Sequence, residues 1–330
     1  MKMLVRFAVL LFLFLSVVPE GRAGATLLLG EPYGGLARVS PTGHVAVYLD
    51  RVCAASPTQL RRCEPGELGV VISRYDKIGG YDWIAIPLIP YLYAVARAED
   101  VPEFADAQTV ARLRDAYRRQ YLSELAPDSP QGEPPQGGWF QLVGAAYDRK
   151  FYAFEIETQE AQDDELIKVF NSRRNKQSFN AFFRNCADFA KDVINFYYPK
   201  AVRRSIIADS GFTTPKQVAK SLVRYSQKRP ELQFSAFVIE QVPGNLPRSK
   251  RIRGVLESLV KSKKYVVPLV VVHVWLTPGL AAGYITTGRF NPSRHAVTVY
   301  GPADLEQRAF GYGAGALGSN IAQPAPGKID

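Results

Sequence analysis

The N-terminus constrains this chain most, because it sets where folding takes place. Lys2 and Arg6 precede an uncharged run from Phe7 to Val18 in which Ser16 is the one polar residue; Pro19 breaks the run, and small residues follow at Ala23 and Ala25. A short positive segment, an apolar segment and small residues at its exit form the layout of a secretory leader. The apolar run is too short to span a bilayer as a helix. The chain is therefore expected to be exported, to the periplasm, cell envelope or outside, with residues 1–25 removed by a cut after Ala23 or Ala25. No cysteine sits at that point to carry a lipid anchor. Loss of Lys2, Arg6, Arg22 and Glu20 takes the formal charge from +10 to +8.

Export gives the cysteines their meaning. Cys53 and Cys63 flank a short segment rich in Ser, Pro and Arg, and in an oxidising compartment they are expected to be disulfide-bonded. Cys186 is then left without a partner, and such a thiol is either buried and inert or reactive. With 47% hydrophobic and 22% charged residues the chain has material for a core. Three scattered histidines argue against a multi-histidine metal site, and there is no GxxxxGK[ST] run. Neither a metal nor an organic cofactor is expected, and export disfavours a nucleic-acid partner.

Along the chain, residues 26–30, 44–50 and 68–73 read as strands. Residues 81–95 are apolar with Pro87 and Pro90, which suggests buried extended structure. Val110, Leu113, Tyr117 and Tyr121 recur at helical spacing within 106–125, with Arg112, Arg114, Arg118 and Arg119 at other positions. A proline- and glycine-rich stretch, 127–138, reads as a loop. A strand over 151–157 precedes a helix capped by Thr158. Thr214-Pro215 starts another helix, and a basic helix is expected over 249–264. Residues 265–285 are uncharged and are expected to form either a membrane span or, in preference, a buried hairpin or membrane-surface element. Residues 1–25, 26–200 and 201–330 thus divide into leader, main domain and basic C-terminal extension, with a mobile tail from Gly311. The basic clusters Arg248–Arg253 and Lys261–Lys264 suit a solvated face or an anionic membrane surface.

Two segments carry chemistry. Gly43-His44-Val45-Ala46-Val47-Tyr48-Leu49 puts a histidine at the start of a strand. In Asn185-Cys186-Ala187-Asp188-Phe189, Asn185 reads as an N-cap, Cys186 as the first helical residue and Asp188 as the third, with Phe189, Val193, Phe196 and Tyr197 as the buried stripe. Unpaired N–H groups and the helix dipole favour thiolate, so a low-pKa nucleophile is expected at Cys186. His44 would serve it as general base and then general acid.

The order of these motifs resembles the circularly permuted branch of the NlpC/P60 papain-like superfamily. Asn185-Cys186-Ala-Asp-Phe189 is similar to the NC-x-x-F signature of its lecithin-retinol-acyltransferase-like members, and Gly43-His44 through Leu49 to their histidine strand. Tyr152 through Cys186 also resembles an uncharacterised periplasmic branch. The resemblance covers roughly residues 40–200. It implies an α+β fold with an antiparallel sheet packed on the cysteine helix, extended here by the C-terminal segment. It also implies a cysteine hydrolase or acyltransferase acting on an amide or ester of the envelope, with a cell-wall peptide or a lipid as substrate. The family's second histidine is missing. If Asp50 pairs with Leu68, His44 lies opposite about Arg74, so Ser73 or Asp76 orients the imidazole, Asp76 being favoured because a carboxylate also stabilises imidazolium. The alternative from another class is a non-catalytic envelope-binding protein in which Cys186 is structural.

Overall fold

A computed structural model describes residues 24–34, 42–76, 78–135, 137–176, 179–180, 183–205, 209, 211–254, 257, 282 and 289–313, with side chains to 308. Residues 1–23 of the expected leader lie outside these residues, while Gly24 and Ala25 belong to the first strand; residues 265–285 apart from Ala282, and the expected tail apart from its first three residues, which end a helix, also lie outside.

Strand β1 (Gly24–Gly30) is buried along its whole length and lies at the centre of a seven-stranded sheet. Beside it run β2 (His44–Leu49) on one side and β7 (Phe151–Glu157) on the other. The sheet continues through β5 (Val70–Ser73) to β6 (Ile84–Pro87), and through β8 (Ser235–Ile239) to β9 (Thr298–Val299). Every pairing is antiparallel except β8 with β9. Strands β3 (Val52–Ser56) and β4 (Gln59–Arg62) form a separate hairpin. The Cys53–Cys63 disulfide ties that hairpin together, with Cα atoms 4.9 Å apart.

Alternation along β1 builds a layer on each side. Ala25, Leu27 and Leu29 join one core with Val45, Val47, Phe154, Phe189 and Val193, while Leu28 joins the other with Ala46, Tyr48, Tyr91 and Phe151. The second layer is covered by α1 (Leu88–Tyr93), α2 (Ala107–Tyr121) and α3 (Ala145–Asp148). The first is covered by α4 (Glu160–Ser172), α5 (Cys186–Tyr197) and α6 (Pro215–Ser226). With α7 (Pro302–Gly313) the described residues form seven α-helices on a mainly antiparallel sheet, a mixed α+β architecture. Among them no helix is long and apolar enough to cross a membrane.

Several expectations change. Residues 88–93 are helical rather than extended, because Pro90 falls in the first turn, where its missing N–H has no intrahelical partner to lose. Arg114 and Arg118 are buried: Arg114 donates to the Val143 and Gly144 carbonyls and to Asp148, and Arg118 to Asp115, Asp128 and the Ala126 carbonyl. The cap of α4 is Gln159, in a capping box with Gln162, while Thr158 accepts from Arg51 instead. Residues 249–254 are irregular, not helical; of the remainder of that expected helix only Glu257 is described. Beyond residue 200, α6 packs on β1 and β7, and β8 and β9 extend the sheet itself.

Candidate active site

Gly43, at φ +88°, delivers His44 to the start of β2, and a Cβ there would lie 2.5 Å from the Gly30 carbonyl oxygen. The ring stacks on Tyr75, centroids 5.1 Å apart, and its Nε2 lies 3.0 Å from Ser73 Oγ. Ser73 is buried, and its hydroxyl donates to the Val45 carbonyl at 3.2 Å. A hydroxyl has one proton and a carbonyl can only accept, so both contacts are hydrogen bonds only in the arrangement that sends that proton to Val45. In the tautomer that fits both contacts, His44 Nε2 donates to Ser73 and Nδ1 keeps the lone pair. Burial, followed by the charge of Arg149, lowers the imidazole to about 3, so the ring is neutral at physiological pH.

Cys186 opens α5 and is the free, buried thiol. The Asn185 side chain accepts from Ala187 N at 2.8 Å and Asp188 N at 3.0 Å, and donates to the Thr213 carbonyl. Asp188 is buried and accepts from Thr213 Oγ1 at 2.6 Å and Arg204 at 2.8 Å. The helix start is thereby anchored to the segment leading into α6. The sulfur feels the backbone N–H of Val45, the residue after His44, the N–H groups of Ala187 and Cys186, and the Arg149 charge, all favouring thiolate. Burial outweighs them and pushes the thiol up. The low pKa expected for a helix-start cysteine is therefore not what this site has: the resting group is a neutral thiol. Sulfur and imidazole are not hydrogen-bonded to each other here.

Asp76 does not join them. The observed register pairs Leu49 with Val70, one residue from the expected alignment, which sets His44 opposite Tyr75 and turns Ser73 to the imidazole's side of the sheet. Asp76 lies beyond the strand end and is exposed. Ser73 takes the orienting role.

Arg149, which no motif singles out, is the centre of the site's electrostatics. It acts on His44, Cys186, Tyr33, Tyr75 and Tyr91 together. It is 4% exposed, its guanidinium carbon sits 4.3 Å over the Tyr33 ring, and among the described residues neither Nε nor Nη1 has a hydrogen-bond partner. Gly30 makes its room, since a Cβ there would come within 2.6 Å of Arg149 Cδ. Parity puts Arg149 on the Phe151 face of β7, but nothing in the Asp-Arg-Lys run before that strand singles it out from Lys150. A buried cation with open donors beside a thiol is suited to an anion that appears during a reaction. Among the described residues the grouping of metal-type donors is Cys53, Cys63 and Glu67, and those two sulfurs are bonded to each other.

Comparison with protein-family profiles, curated proteins and solved structures gives no match.

Proposed function

We propose that the chain is a cysteine-dependent hydrolase or acyltransferase of the circularly permuted NlpC/P60 papain-like type, acting on an amide or ester of the cell envelope. The observation that carries the reading is that the helix-start thiol of Cys186 meets the backbone N–H of Val45, the residue after His44, with the Arg149 charge acting on both thiol and imidazole. In the reaction Sγ bonds to the carbonyl carbon as its proton passes to Nδ1. The Cys186 N–H and Arg149 meet the developing oxyanion. The C–N or C–O bond then breaks, the leaving group takes the proton from Nδ1, and a thioester remains. Water or an acceptor amine or hydroxyl attacks the thioester, gives its proton to Nδ1 and releases the thiol. A peptidoglycan stem peptide and a lipid acyl chain both supply such a bond.

The test is intact-mass analysis after incubation with peptide and lipid-type acyl esters. A hydroxylamine-labile adduct on Cys186, absent from Cys186→Ala and strongly slowed in His44→Ala, is expected. Absence of an adduct with both substrate types, with iodoacetamide alkylation equally fast in His44→Ala, overturns the reading in favour of a non-catalytic envelope-binding protein.

We also propose that the chain is exported and cut after Ala23 rather than Ala25. Gly24 N donates to Asp50 Oδ2 at 2.7 Å, and a Cβ at Gly24 would come within 2.0 Å of the Ile156 carbonyl oxygen. Burial pushes Asp50 up to about 7 in spite of that amide and the charge of Arg51. A cut after Ala23 turns that amide into an ammonium and gives the carboxylate a counter-ion. A cut after Ala25 would remove the donor together with a fully buried residue paired to Leu49 and Ile156. Mass spectrometry of the native N-terminus decides: Gly24 supports this, Thr26 refutes the choice of bond, and Met1 refutes export.

A further inference from the structure

A cavity of about 750 Å³ opens between α6, residues 251–254 and residues 289–295. Lys220 of α6 lines it, joined by Arg224, Arg251, Arg253, Arg289 and Arg294. Among the described residues none of these six side chains has an ion pair or hydrogen bond to an acid. The carboxylates of the same wall are already engaged: Glu31 accepts from Tyr152 Oη at 3.2 Å and Ser249 Oγ at 2.7 Å, and Glu257 pairs with Lys216. Lys150 at the margin is likewise taken by Glu240 at 2.6 Å.

The five arginines are exposed, as solvated cations ordinarily are. Lys220 is different: its stem is packed, the residue being 4% exposed, its ammonium is left to the cavity, and among the described residues no acid pairs with it. Burial, then Arg224 and Lys216, bring it down to about 8 against a smaller upward pull from Asp209. An ammonium on a packed stem, facing five guanidinium groups across one cavity, is favoured by an anion that enters between them. A single carboxylate brings one charge to six cations. A phosphoryl group brings more charge and more acceptor oxygens, and its geometry matches the guanidinium fork.

We propose that this cavity is a binding site for a phosphate ester, seated on Lys220 at its floor and held by the arginine rim. The source of the phosphate is either a soluble molecule or an anionic lipid headgroup. The site stands apart from the thiol chemistry and does not depend on it, although Glu31 in its wall follows directly on Gly30, the residue paired with His44.

The experiment uses the full exported chain and two probes: inorganic pyrophosphate by calorimetry, and flotation on phosphatidylcholine vesicles with and without phosphatidylglycerol. Binding to one probe or both is expected, weakened about tenfold or more by Lys220→Met, since a hydrogen bond to a charged group is lost. Arg224→Gln, an exposed change with no structural partner to lose, gives a smaller loss in the same direction. Binding of pyrophosphate identifies a soluble phosphate; retention on phosphatidylglycerol vesicles alone identifies a headgroup. Absence of binding to both probes overturns the proposal. So does binding that Lys220→Met and Arg224→Gln leave unchanged.

Discussion

Replacing Arg149 by methionine should make the protein more stable and its thiol less reactive. Nε and Nη1 are buried without partners, and each open donor costs about 1–3 kcal/mol. The opposing loss is the cation–π contact with Tyr33, up to about 2 kcal/mol when desolvated. Methionine keeps the length of the side chain and fills the slot over Gly30 without a charge. A net gain of about 1–3 kcal/mol follows, in line with other replacements of buried charges by apolar groups. For a chain of this size that is a rise of about 2–8 °C in Tm. The chemistry moves the other way. Arg149 favours the Cys186 thiolate and disfavours a charged His44, so its loss raises the thiol further, lets the imidazole rise back towards its ordinary value, and removes the donor proposed for the oxyanion. Loss of an oxyanion donor costs about 10²–10³ in rate. Urea unfolding and the pH profile of iodoacetamide alkylation read the two effects separately. A variant that is destabilised by about 1 kcal/mol or more and alkylates at the wild-type rate would make Arg149 a structural residue and refute the reasoning.

Gly30→Ala should have the chemical phenotype of Arg149→Met with a loss of stability instead of a gain, because the added Cβ collides with Arg149 Cδ and Phe151 Cε1; denaturation and alkylation rate check it. Ser73→Ala should free the imidazole to change tautomer, slowing acylation far more than it weakens substrate binding, which a kcat against KM comparison resolves. His44 protonates more readily unfolded than folded, so its contribution to stability is complete above about pH 6.5 and is lost as pH falls towards 3, on the order of 4–5 kcal/mol at the acid end. Acid unfolding of His44→Gln should accordingly begin at lower pH than that of the wild type. Reducing the Cys53–Cys63 bridge, which closes a short loop, should cost about 2–3 kcal/mol and leave two more titratable thiols in the unfolded protein.

What could be read from the sequence was local. Asn185 caps its helix, Cys186 is the first helical residue, Asp188 reaches back as the third, and Thr214-Pro215 starts α6, because capping depends on residues three or four apart. The strand of His44 showed in its β-branched and aromatic run. Register did not show. The β3–β4 hairpin lies between β2 and β5, and a shift of one residue across it exchanges the faces of every side chain, which is the difference between Ser73 and Asp76. Arg149, Arg114 and Arg118 were illegible for a related reason: their burial depends on partners or gaps supplied by distant segments, such as the space over Gly30 and the carbonyls of Val143 and Gly144. The same holds for β8, whose place in the sheet is fixed by pairing with β7 from eighty-odd positions away.

The protonation states bear on how such a thiol would survive the export proposed above. A permanently ionised cysteine in a compartment that oxidises Cys53 and Cys63 would itself be open to oxidation, since thiolate is the reactive form. Here burial keeps Cys186 protonated although a helix start, the Val45 N–H and a guanidinium all favour its anion. His44 is kept neutral by burial and by the same guanidinium, with its basic nitrogen defined by Ser73. Neither group is charged until a proton moves between them, and Arg149 is already in place for the negative charge that then develops. On this reading the unpaired arginine lowers the stability of the resting protein, and the site recovers that cost only when an oxyanion forms beside it.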